Sequence, residues 1–133
     1  MLFHAFRSQE ERRAYGGGDF LQFAFCTLDR GTPIQNIVSN EAVSPLLWNN
    51  SSLYLSGDDW NEFYDDYGTI LTSATYANLE KGPLDWCGIN YFSPEQLGLI
   101  IEQLQTKQPK DYAPLLAWLK QGTGYNGFYV LGL

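Results

Sequence analysis

The residues from Gly57 to Gly68, GDDWNEFYDDYG, hold five carboxylates, Asp58, Asp59, Glu62, Asp65 and Asp66, and no base. Carboxylates this dense can coordinate a hard cation, exchange protons, or present a negative surface to a cationic partner. Coordination of a hard cation needs about six to eight oxygens converging on one point. The run lacks the D-x-D-x-D-G spacing of a calcium loop. Acid–base work needs a cleft that raises a carboxyl pKa. Spacing favours the third option. Trp60, Phe63, Tyr64 and Tyr67 recur at i, i+3, i+4 and i+7, which places four rings on one face of a helix at about 100° per residue. The carboxylates then fall on the other face.

That arrangement costs stability. Asp58–Glu62 and Glu62–Asp66 lie four apart; Asp59–Glu62 and Glu62–Asp65 lie three apart. At ~0.2–0.5 kcal/mol each, the like-charge pairs sum to roughly 1–2 kcal/mol. Against a domain's ~5–15 kcal/mol this is noticeable. A face kept only for solubility would usually mix in lysines. The expected role is docking on a cationic partner, with Trp48 and Tyr54 as nearby aromatic anchors.

The other reactive residues are sparse. One histidine, His4, sits among apolar neighbours and is expected to be structural or at the surface. Cys26 and Cys87 both lie in strand-like segments and read as free, buried thiols. One histidine and two distant cysteines make no zinc site, and no metal or cofactor is expected. There is no G-x-S-x-G, P-loop, H-E-x-x-H or G-x-G-x-x-G. The glycines of YGGGD and GTGYNG lack the context of a phosphate loop and read as turns. No enzymatic activity is expected.

The chain has 133 residues, 44% apolar and 16% aromatic, which suits one packed domain over residues 1–133. Its net charge is −7. Residues 31–80 contain seven acids and no base, while the flanking segments each balance. Nucleic acid and anionic membranes are therefore poor partners. No apolar run approaches the ~18–20 residues of a membrane span. MLFHAFRSQEERR has no secretory-signal pattern, so a cytoplasmic location is expected.

Several elements can hold the acidic helix. Strands are expected at Phe20–Leu28, Pro33–Val38, Leu84–Phe92 and Gly127–Leu133, and the segment Pro45–Gly57 is expected to be extended around a turn at Asn49–Ser52. SPEQLGLIIEQL opens with Ser93 as N-cap, Pro94 at N1 and Gln96 at N3, a capping box. DYAPLLAWLKQG starts at Asp111 and stops at Gly122, with Tyr112, Leu115, Leu116 and Leu119 on one stripe. The fold class expected is α+β, a mixed or antiparallel sheet packed against about three helices.

The last third, INYFSPEQLGLIIEQLQTKQPKDYAPLLAWLKQGTGYNGFYVLGL (Ile89–Leu133), resembles the small bacterial immunity proteins of polymorphic and contact-dependent toxin systems. The likeness lies in the manner of the sequence, a strand into YFSPEQ, two helices, then a YNGFYVLG strand, and not in a diagnostic motif. It implies a cytoplasmic, non-enzymatic inhibitor of a co-encoded toxin domain, and no catalytic residues carry over. Many such toxins are nucleases with basic clefts, which an acidic helix would complement. Two alternatives from other classes remain: a small enzyme or small-molecule binder with an aromatic-lined pocket, and an acidic inhibitor that mimics nucleic acid. The oligomeric state is left open.

Overall fold

Among the described residues, seven strands form one sheet in the order β1-β3-β2-β7-β6-β4-β5, and every ladder is antiparallel. The strands are β1 (Phe3–His4), β2 (Phe20–Phe25), β3 (Leu53–Ser56), β4 (Ala74–Thr75), β5 (Lys81–Gly82), β6 (Ile89–Phe92) and β7 (Phe128–Leu131). The structure is a computed structural model that describes residues 1–16 and 18–132.

Strand alternation gives the sheet two apolar faces. On the first, Leu21, Phe23 and Phe25 of β2 join Leu53, Leu55, Phe92, Phe128 and Val130. The three longest helices cover this face: α4 (Trp60–Tyr67), α5 (Pro94–Lys107) and α6 (Tyr112–Gln121). They contribute Phe63, Tyr67, Leu97, Ile100, Leu104, Leu115, Trp118 and Leu119 to the core. On the second face, Ala24, Cys26, Ile89, Tyr91, Tyr129 and Leu131 pack against Ile37, Val38, Val43 and Leu46. These come from two one-turn helices, α2 (Ile34–Ile37, with Val38 as its C-cap) and α3 (Asn40–Val43), and the 3-10 turn after them. A third short helix, α1 (Gln9–Tyr15), buries none of its residues. The fold is α+β, with three longer α-helices and three short ones among the described residues.

The capping box is present in full: Ser93 Oγ accepts from the Gln96 N–H at 3.2 Å and Gln96 Oε1 accepts from the Ser93 N–H at 2.8 Å. α6 starts after Asp111 and ends before Gly122, on the expected boundaries. Pro33–Val38 is not extended. Ile34, Ile37 and Val38 have helical spacing, and burying Ile37 and Val38 under the sheet outweighs their β-branched preference. In Pro45–Gly57, the residues Ser44–Leu46 form a 3-10 turn, and the strand begins only at Leu53. The expected turn is there: Asn49 Oδ1 accepts from the Ser51 N–H at 2.7 Å. Leu84–Gly88 is loop rather than strand. Asn90 bridges to Asp85 through both its amide groups, at 2.8 and 2.9 Å, and Gly88 takes φ 144°. Cys87 therefore lies exposed in a loop, against the expectation of a buried thiol, whereas Cys26 is buried; both are free. Leu133, the end of the expected final strand, lies outside the described residues.

Candidate functional site

The acidic run starts from β3. Ser56 Oγ accepts from the Asp58 N–H at 3.3 Å, and Gly57–Asp59 make a 3-10 turn that feeds α4. Asp58, Glu62, Asp65 and Asp66 are exposed and Asp59 is half-buried. The inner face is anchored by two rings with no solvent exposure. Phe63 stacks on Tyr67 at 5.0 Å and meets Phe3 and Phe23 edge-on, each at 6.0 Å. The amphipathic reading of this segment holds.

The stripe is not uniformly core. Trp60 and Tyr64 are half-buried, 5.2 Å apart. The half-buried Trp86, from the loop before β6, closes on Trp60 at 5.0 Å. Gly57 makes room for it, since a Cβ there would lie 2.8 Å from the Trp86 ring. Three partly exposed rings thus cluster at the side of α4, against the edge of the core. Trp86 is the member sequence reasoning missed. It is distant in the chain, and no local pattern links it to α4.

The acidic face also has one base that sequence proximity hides. Lys110, between α5 and α6, forms an ion pair with Glu62. Its pKa is raised, first by that hydrogen bond and then by the Glu62 charge. The segment is fixed from beneath, because the Tyr67 hydroxyl donates to the Lys110 carbonyl. Burial, then the charges of Asp111 and Asp66, push the Tyr67 pKa up. Asp111 in turn accepts from the Leu2 N–H at 3.0 Å. Glu62, which α4 sets three and four residues from Asp65 and Asp66, is therefore partly neutralised. Asp58, Asp59, Asp65 and Asp66 have no ion-pair partner among the described residues.

Trp48 and Tyr54 do not join this surface. Leu53 and Leu55 point to the face that α4 covers, so Tyr54 between them points to the other. Tyr54 is 3% exposed, and its hydroxyl accepts from the Asn49 N–H at 2.9 Å. Trp48 stacks on it at 5.3 Å. A side chain so buried cannot anchor an incoming partner, and the two rings belong to a groove on the second face. His4 lies at that same end, against Phe6 and Tyr15, with Nε2 buried and unpartnered.

Among the described residues, no group of three or more His, Cys, Asp or Glu side chains is placed to hold a metal ion. Among the same residues, no helix is long and apolar enough to cross a membrane. Comparison with family models, curated proteins and solved structures gave no match. Fold and surface together define a class: an α+β protein with an antiparallel sheet and an acidic helix face.

Proposed function

We propose that the protein is a non-enzymatic immunity protein that acts in the cytoplasm by binding and neutralising a bacterial toxin domain encoded with it. One observation carries the reading. Asp58 and Asp59 in the turn before α4, and Asp65 and Asp66 on its outer face, are free of ion pairs among the described residues, and the half-buried rings of Trp60, Tyr64 and Trp86 cluster at the side of the same helix. Protein interfaces gain most of their affinity from a few aromatic anchors, while surrounding charges steer the approach. Here the acidic outer face and the half-buried rings belong to one short helix and the segments beside it. The partner surface is basic, as in a nuclease cleft that binds phosphates. The resemblance of the last third to immunity proteins adds support for this class.

Affinity purification from the native host identifies the partner; the reading requires a toxin domain, and an unrelated enzyme complex in its place overturns it. Substituting Asp65→Lys and Asp66→Lys together then tests the surface. Lysines suit the negative end of a helix, so the folded variant should be at least as stable as the parent. Its association with the toxin should slow strongly at low salt. The difference should shrink at high salt, because screening already acts within about 8 Å at physiological ionic strength. Protection of toxin-expressing cells should weaken in parallel. Unchanged low-salt association rates would exclude α4 as the docking face.

A further inference from the structure

The second face carries a groove that the acidic surface does not explain. It has a volume of about 340 Å³ and lies between α1 and strands β2 and β3. Phe20, Trp48 and Tyr54 supply aromatic walls, and Gln9, Arg12 and Asp19 supply polar groups. Its floor is built: Gln22, 6% exposed, donates to the Leu46 carbonyl at 2.7 Å and to Ser52 Oγ at 3.0 Å. Its Oε1 accepts from the Trp48 N–H at 3.2 Å and holds Trp48 at φ 60°.

Arg12 is the informative residue. Its guanidinium lies 5.7 Å from the Phe20 ring centroid and 5.6 Å from that of Trp48. Among the described residues it forms no ion pair, and no side-chain hydrogen bond engages it. A guanidinium has five N–H donors, and none of those of Arg12 is taken by an acceptor among the described residues. Carboxylates and phosphates match a guanidinium bidentately. Asp19, in the same groove, disfavours a dianion but accepts a hydrogen bond from a ligand donor. The groove lies at the small end of ligand pockets, about 300–1,000 Å³, too small for a folded segment.

We propose that this groove binds a small aromatic monocarboxylate, with the carboxylate on the Arg12 guanidinium and the ring against the half-buried Trp48. The site is separate from the α4 surface and does not rest on the immunity reading.

The test is a titration of the protein with phenylacetate, phenylacetamide and inorganic phosphate, followed by NMR and by tryptophan fluorescence. Phenylacetate should bind saturably, shift the Arg12 Nε–H downfield and perturb the amides of Phe20 and Trp48. Phenylacetamide, which lacks the charge, should bind about tenfold or more weakly, and phosphate should bind more weakly still. The fluorescence change should vanish in Trp48→Phe. Arg12→Lys keeps the charge but loses the planar fork, and should weaken binding about tenfold with the melting curve preserved. Should that variant unfold, the shift map of the unaltered protein decides alone. If Arg12 serves only to clamp α1 to the sheet, no saturable shift appears at Arg12, and the proposal fails. Equal affinity for phenylacetamide, or shifts that map elsewhere, overturn it as well.

Discussion

At the scale of single residues, His4 gives the fold a pH dependence. Burial lowers its pKa below the usual 6.5, the N-terminal ammonium lowers it further, and Asp59 opposes both. Its unpartnered Nε2 fits a neutral ring. Between the depressed folded value and 6.5, the unfolded chain binds the proton more readily than the folded one. Stability from this group is therefore complete above pH 6.5 and falls as the pH drops through that window. Denaturant melts at pH 7.5 and 5.5 should show a loss in the parent that is smaller in His4→Leu. An equal loss in both would assign the pH dependence to other groups. The apolar neighbours of His4 mark it as structural or at the surface, and the structure leaves it half-buried. Its orphaned nitrogen is not legible in the sequence, because Tyr15, the nearest ring at 4.5 Å, arrives from a helix the sequence pattern does not reveal.

At the scale of elements, α4 combines local order with unfavourable charge. Asp65 and Asp66 stand in the last turn, where the helix dipole opposes them. Asp66→Asn removes that conflict and one like-charge pair with Glu62. The free protein should gain ~0.3–1 kcal/mol, measured by denaturant melts at low salt. A clear loss would mean that Asp66 has a structural partner. This conflict is legible because it depends on neighbours three and four residues away, as do the capping box of α5 and the stripe of α6. What is not legible depends on long-range contact. Lys110 reaches Glu62 across 48 residues, Trp86 reaches Trp60 across a loop, and α2 is helical because the sheet buries Ile37 and Val38. Tyr54 shows the same limit in reverse: its extended segment can be read locally, but the sheet face it occupies depends on register against β2.

At the scale of the molecule, β7 is the keystone of the sheet. It lies between β2 and β6 and supplies Phe128 and Val130 to one core and Tyr129 and Leu131 to the other. Gly127, which leads into it, takes φ 79°, and a Cβ there would lie 2.0 Å from the Phe92 carbonyl oxygen. Ending the chain at Asn126 should leave β1-β3-β2 and β6-β4-β5 without a common strand. Circular dichroism and denaturant titration should then show no cooperative transition. A cooperative transition in the truncated chain would show that the two halves fold independently.

The position of β7 also fixes a timetable for biosynthesis. Tyr129 meets Cys26 across 103 residues, so β2 leaves the ribosome long before its central neighbour exists. At ~5–20 residues per second, that interval is about 5–20 s. Throughout it, Leu21, Phe23 and Phe25 are on a nascent chain whose sheet cannot close. Chaperones and chance aggregation compete for the strand during that time. The finished surface of α4 becomes available only once translation has passed Leu131, which sets a minimum delay between the start of synthesis and the first molecule able to present it.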